Sequence, residues 1–274
     1  MLKTMLSASK QLDFVDELFL LCPRWLHRDL DFCIRKEVGS LSSAGSLDRL
    51  IELLYSRTPY GWFFSVGIKE LNREILRTEL SRDELNLKTI FRAIMVVHAR
   101  TRNKFGIGAK FPVHYSYADK LLEWFPDSRL IHTTRNPKAT YASQAAKYIR
   151  DEGNTLARGF MRFKQFVHIN LQISWTARLH KRLKHLPNYC LVRYEDVILR
   201  PEQELRRICE FIGTEFVSEM LDPNQYGSSF DRIGAGHGVD KSSLERWRTS
   251  IHPLTSKSID ILHPSARREF GYSS

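Results

Sequence analysis

The residues best suited to chemistry lie in one run, Ile131-His132-Thr133-Thr134-Arg135-Asn136-Pro137-Lys138-Ala139-Thr140-Tyr141-Ala142-Ser143. An apolar, β-branched segment ends in an arginine, a proline-bearing turn follows, and a helix opens with Ser143 in its first or second turn. In open α/β sheets ligands bind at the carboxyl ends of strands, which is where Arg135 falls. A guanidinium beside a helix N-terminus makes an anion site, because its charge and the unsatisfied N–H groups of the first turn converge. Lys147, one turn beyond Ser143, would add a third donor on the same face. The same pattern also suits an arginine capping a loop carbonyl, a small packing serine and a solvated lysine. Spacing alone leaves both readings open.

Positioning such a site requires strands, and the sequence supplies candidates. Arg129–Thr134 reads as a buried strand after the turn Phe125–Ser128. Tyr189–Tyr194 reads as another, bounded by Pro187-Asn188. Phe105–Lys110 is a short Gly-bearing strand running into a loop, and Phe14–Phe19 is a short apolar segment carrying Asp16 and Glu17. Between them come a helical, irregular stretch from about 24 to 103, a helix from about Lys138, a long amphipathic helix over Gly159–Leu186, and a helix over Pro201–Phe211 stopped by Gly213. Ser46 is expected to cap one helix of the irregular stretch, and Ser81 with Glu84 to form a capping box for the next. Asp222–Asp240 reads as a mobile loop. Strands alternating with helices predict an α/β fold, one parallel β-sheet flanked by helices in a single domain, with the helical insertion at about 24–103.

Composition narrows the function classes. The net charge is +11, but the basic residues are dispersed, and no cluster of basic and aromatic side chains suggests a nucleic-acid surface. A polyanionic small ligand is served equally well by such a balance. No apolar run reaches the roughly 18–20 residues that span a bilayer, and no signal peptide is visible, so a cytoplasmic location is expected. Cys22, Cys33, Cys190 and Cys209 are scattered without metal-site spacing and read as buried free thiols, so no metal is expected. His114 and His132 lie near strand ends and read as structural. No Walker loop is present, which argues against a P-loop nucleotide kinase.

Several blocks together resemble the sulfotransferases that use 3′-phosphoadenosine 5′-phosphosulfate (PAPS). Arg135-Asn136-Pro137 with Ser143 is similar to that family's 3′-phosphate-binding motif. Gly108-Ala109-Lys110-Phe111-Pro112 resembles its K-x-P loop, and Phe125-Pro126-Asp127-Ser128-Arg129-Leu130-Ile131 its approach to the binding strand. Val192-Arg193-Tyr194-Glu195-Asp196-Val197, then Pro201 and Phe211-Ile212-Gly213, is similar to its YEDL…P…FLG segment. Arg246-Trp247 and Phe270-Gly271-Tyr272 resemble its late RW and closing GY blocks. The resemblance is closest to the bacterial, tyrosylprotein- and carbohydrate-acting branch.

The resemblance implies a P-loop-like single domain over 1–274 that moves a sulfuryl group from PAPS to an acceptor hydroxyl, without metal. The hydroxyl would belong to a carbohydrate, a lipid, a tyrosine or a small alcohol. Arg135 and Ser143 would hold the 3′-phosphate with support from Lys147, and Tyr194 would line the nucleotide site, a core tyrosine with a satisfied hydroxyl being the equal alternative for it. Lys110 would stabilise charge near the sulfuryl group, and Glu17, with Asp16 in reserve, would act as general base. An acidic pair that caps a helix or pairs with an arginine is the plainer reading of Asp16-Glu17. The family's opening strand and G-x-x-R-S-G-T-T loop have no counterpart before Met1-Leu2-Lys3-Thr4, which resembles the helix after that loop. Further residues upstream are therefore expected in the natural protein. The alternative is a short, catalytically inactive relative that only binds nucleotide or a partner.

Overall fold

Among the described residues, four short strands carry the fold: β1 (Leu12–Val15), β2 (Gly106–Ala109), β3 (Leu130–Thr134) and β4 (Tyr189–Arg193). The computed structural model describes residues 1–15, 20–21, 29–56, 68, 70–110, 114–149, 155–222 and 241–272. Asp16, Glu17, Cys22 and nearly all of the loop read at Asp222–Asp240 lie outside them. The expected α/β fold with parallel strands flanked by helices is present; among the described residues the strands form two parallel pairs, β1 with β2 and β3 with β4. The alternation of elements fixes that strands run parallel with long crossovers, but not which strands become neighbours. The pairs fall in two compact units, Met1–Pro126 with Phe216–Ile233, and Asp127–Glu215 with Gly234–Ser274.

In the first unit, Leu12 and Phe14 of β1 lie opposite Gly106 and Gly108 of β2. A Cβ at Gly106 would meet Leu12 Cδ2 at 2.3 Å, and one at Gly108 would meet Phe14 Cε1 at 2.2 Å. The β1 side chains therefore lie across the β2 backbone, which only glycine permits. Around this pair come α1 (Leu2–Leu6), α2 (Leu30–Cys33) running into a π-helical turn at Ile34–Val38, α3 (Ser46–Tyr55), α4 (Arg73–Leu80), α5 (Leu87–Thr101) and α6 (Ala118–Trp124). Leu50, Ile51 and Leu54 of α3 and Ile90, Ile94 and Val97 of α5 are fully buried at helical spacing. Glu79 is 2% exposed and sits 2.6 Å from Arg82, 2.6 Å from Arg100 and 3.6 Å from Arg92. Three guanidiniums with solvated outer faces compensate one buried carboxylate.

Two cap assignments are corrected here. Gly45, not Ser46, is the N-cap of α3; Ser46 is the first helical residue and its hydroxyl donates to Leu41 O. Ser81 ends α4, and α5 is capped by Asn86, whose Oδ1 accepts from Thr89 N while Thr89 Oγ1 accepts from Asn86 N. The reciprocal box is present, shifted five residues along: Asn86 and Thr89 satisfy each other's backbone N–H at the start of α5.

In the second unit, β3 and β4 pair from Leu130↔Tyr189 to Thr134↔Arg193. Their crossover holds α7 (Pro137–Ile149) and α8 (Thr155–Leu183); α9 (Tyr194–Leu199), α10 (Pro201–Ile212), α11 (Trp247–Ser250), α12 (Pro253–Leu262) and α13 (Pro264–Glu269) follow. Pro201 opens α10, and Gly213 closes it in the left-handed conformation with φ 74°. Tyr141 of α7 packs in one cluster with Ile169, Ile173 and Ala177 of α8, Ile259 of α12, and Phe270. His132 and His180 both meet the Tyr189 hydroxyl through Nδ1, at 2.6 and 2.9 Å, and the Phe270 ring lies beside both imidazoles. Burial, then His180, pushes His132 down to about 4. Burial alone pushes His114, near the Phe91 ring, to about 3. Cys33, Cys190 and Cys209 are buried and form no disulfide. Among the described residues no helix is long and apolar enough to cross a membrane.

Two outcomes follow for stability. Ile90→Ala should cost about 2–5 kcal/mol by leaving a cavity among α3, α4 and α5. Arg82→Ala, whose side chain is 53% exposed, should cost about 1 kcal/mol or less. Equal losses by urea denaturation would contradict this core. Stability should also fall as pH drops from 7 to 4. Unfolded His132 protonates near 6.5 and folded His132 only near 4, so the unfolded chain binds more protons across that window. The decline should be shallower in His132→Phe, and an identical profile in both proteins would contradict the assignment.

Candidate functional site

The site is built where β3 ends and α7 begins. Thr134 and Arg193 are the last paired residues of β3 and β4, so Arg135 and Tyr194 emerge side by side. The Arg135 guanidinium carbon lies 4.4 Å from the Tyr194 ring centroid, within the range of a cation–π contact. Tyr194 was read as the end of the strand; it is instead the first residue of α9, and the turn from strand to helix brings its ring under Arg135.

Asn136 governs the entry into α7. Its side-chain Oδ1 accepts from Lys138 N at 2.9 Å, and its carbonyl accepts from Thr140 N and from the Thr140 hydroxyl. Pro137 occupies the first helical position, where a missing N–H costs nothing. The Asn136 N–H itself donates to Glu195 Oε1 at 2.8 Å. Lys138, three residues after Arg135, is committed elsewhere: its ammonium is 2.7 Å from Asp260 and 5.1 Å from the Trp247 ring centroid. Arg267 lies 3.1 Å from the other Asp260 oxygen. The two neighbouring cations of the turn thus divide their work, Lys138 anchoring the helices α11–α13 and Arg135 facing a cavity.

That cavity measures about 310 Å³ and is lined by Arg135, Thr140, Ser143 and Tyr194. Across from α7, Gln172 and Thr176 of α8 add polar atoms, while Ile169, Ile173 and Phe270 supply apolar surface. The volume lies at the small end of the range for ligand sites. Ser143 is exposed and Arg135 half-buried, so a ligand can reach both. The Gln172 Oε1 atom is buried and accepts no hydrogen bond among the described residues. The donor set of guanidinium, hydroxyls and a helix N-terminus suits an anion.

Of the residues singled out from the sequence, the structure brings Arg135, Ser143 and Tyr194 to this one cavity. Lys147 lies on α7, one turn past Ser143, with its side chain outside what is described. Lys110 directly follows β2 in the first unit and is exposed. Asp16 and Glu17 are outside the described residues. Sequence reasoning overlooked Thr140, Gln172, Thr176 and Glu195. Thr140 could have been found, because it precedes Ser143 by three residues on the same helical face. Gln172 and Thr176 share the i, i+4 spacing of one face of α8, but nothing in the sequence says which face of a long helix meets a ligand.

The family model described as "Sulfotransferase family" matches residues 1–218. Human carbohydrate sulfotransferase 3 is 27% identical over 162 residues, which cover 53% of this chain and 34% of that protein. The chain spans only about a third of that relative's length. Among solved structures, the sulfotransferase domain from the curacin biosynthetic pathway is 18% identical with a TM-score of 0.52, covering 95% of this chain and 91% of that one. The sulfotransferase domain from the Synechococcus PCC 7002 olefin synthase is 19% identical with a TM-score of 0.53, covering 100% and 90%. At these identities the two structures speak for the fold, while the family match runs through both strand pairs and the Arg135–Ser143 segment. The chain belongs to the sulfotransferase family.

Proposed function

We propose that this chain moves a sulfuryl group from PAPS to an acceptor hydroxyl, and that Arg135 and Ser143 hold the donor's 3′-phosphate. The observation that supports this most is the convergence of Arg135, Thr140 and Ser143 on one cavity beside the N-terminus of α7. These residues fit a phosphate: a guanidinium supplies charge and directional donors, the Ser143 hydroxyl rotates to a remaining oxygen, and Thr140 adds a donor on giving up its bond to Asn136 O. Tyr194 lines the same cavity and holds Arg135 from below. Lys147, on the same helix, is assigned a supporting contact. The whole chain, 1–274, is read as one sulfotransferase domain.

Bound PAPS supplies an activated sulfuryl group, and the chain must then remove a proton from the acceptor and offset negative charge on the bridging oxygen. We assign the proton to Glu17, with Asp16 as the reserve base, and the charge to Lys110. A carbohydrate hydroxyl is the first acceptor class to test, because the curated relative carries that substrate in its name.

Titration with adenosine 3′,5′-bisphosphate against adenosine 5′-phosphate tests the binding half. The bisphosphate should bind at least about tenfold tighter, and Arg135→Ala should remove most of that margin, since hydrogen bonds to charged groups contribute about 1.5–3 kcal/mol each. Equal affinity for both nucleotides would refute the reading. Transfer is tested by following labelled sulfate from PAPS to a carbohydrate panel. Glu17→Gln should slow turnover by about 10²–10⁴-fold while leaving nucleotide affinity unchanged. Should Asp16→Asn do so instead, the base is Asp16; should neither, the proton goes elsewhere. Binding without transfer to any acceptor would mark a nucleotide-binding relative.

A further inference from the structure

Three consecutive residues where β4 runs into α9 each make a separate contact. Arg193 lies over the Tyr272 ring, 4.8 Å from its centroid, Tyr194 stacks under Arg135, and Glu195 accepts from the Asn136 backbone N–H. The second carboxylate oxygen of Glu195 accepts from the Tyr272 hydroxyl at 2.9 Å. Tyr272 is 7% exposed, and its hydroxyl is held well above the usual tyrosine range, first by burial and then by the Glu195 charge. Glu195 is thus fixed at both oxygens, one by the chain's closing segment and one by the turn that carries Arg135.

The placement is electrostatically unexpected. Glu195 occupies the first turn of α9, where a carboxylate would ordinarily face solvent and favour its own helix dipole. Here it reaches across to the start of α7 and takes an N–H at the end of a helix whose partial positive charge also favours an incoming anion. A negative charge beside an anion site opposes binding, so the favourable contribution must be geometric. Consecutive residues Tyr194 and Glu195 clamp consecutive residues Arg135 and Asn136, one by a ring face and one by a hydrogen bond. That leaves the peptide after Arg135 one orientation, and the guanidinium a fixed root.

We propose that Glu195, braced by Tyr272, is a positioning residue for the 3′-phosphate site, acting through the Asn136 backbone rather than touching the nucleotide. The proposal rests on the reading of Arg135 and Ser143 given above. It predicts that geometry and charge separate on mutation. In Glu195→Gln the amide oxygen still accepts from Asn136, the amide NH2 donates to the Tyr272 oxygen where the carboxylate accepted from it, and the negative charge is gone, whereas Glu195→Ala removes both contacts and the charge.

The test is calorimetric titration of the full chain with adenosine 3′,5′-bisphosphate and adenosine 5′-phosphate, alongside thermal melts. Glu195→Ala should weaken bisphosphate binding about tenfold and leave the monophosphate within about twofold, since only the 3′-phosphate contact loses its support. Glu195→Gln should restore the bisphosphate affinity to the wild-type value or tighter. A purely structural role would instead weaken both nucleotides alike and leave their ratio unchanged, and that result overturns the proposal. So does a Glu195→Gln variant as weak as Glu195→Ala. If Glu195→Ala does not fold, Tyr272→Phe carries the test: it deletes only the hydroxyl and should lower the bisphosphate-to-monophosphate ratio by about threefold, an unchanged ratio overturning the proposal. Absence of any preference in the wild-type protein sinks the 3′-phosphate reading and this proposal with it. A wild-type preference that survives intact in Glu195→Ala sinks the proposal alone.

Discussion

In-register parallel pairing of β3 and β4 is the constraint on which the anion site depends. Because Thr134 sits opposite Arg193, the next two residues leave the sheet together, and Arg135 and Tyr194 meet without any further adjustment. Slipping the register by one residue would turn every side chain of one strand to the opposite face. His132 would then leave Tyr189, and Arg135 would lose the ring beneath it. The register is in turn held at its other end, where Leu130 N donates to Asn188 O and the His132–Tyr189–His180 contacts tie both strands to α8.

Charge is distributed by the same logic in both units: cations outnumber acids, and one buried or half-buried acid gathers several of them. Glu79 collects three arginines in the first unit, and Asp260 collects Lys138 and Arg267 in the second. Glu195 differs, because its partners are a backbone N–H and a phenol rather than cations. A cation there would be drawn to the bound phosphate as well as to the carboxylate, and would not hold Glu195 in one place. Neutral donors fix the carboxylate's position without adding another charge to balance.

Much of the site was legible because its signal is local. A strand, an arginine, a proline at the first helical position and a serine eight residues on are all set by short-range rules, and the structure places Arg135 and Ser143 at one cavity. What failed depended on choices among near-equivalent neighbours. Ser81 and Asn86 are both competent caps, and only the geometry of α4's last turn decides between them. Tyr194 is a good strand residue by type, yet it is the first residue of α9, and the β-branched Val197 and Ile198 that follow give no helical signal in the sequence. The pairing of four strands into two sheets, and the reach of Glu195 to Asn136 across 59 residues, are non-local and leave no periodic trace.

The triad of His132, Tyr189 and His180 carries a chemical asymmetry. One phenol has one proton, which it can give to only one of the two Nδ1 atoms that face it. The other imidazole must therefore carry hydrogen on its own Nδ1 and donate to the phenol oxygen. With both rings buried and neutral, they are obliged to be opposite tautomers, and neither can change without the other. Two chemically identical side chains are in this way made distinguishable, and the hydrogen bonds linking β3 through β4's first residue to α8 acquire a single direction along their length.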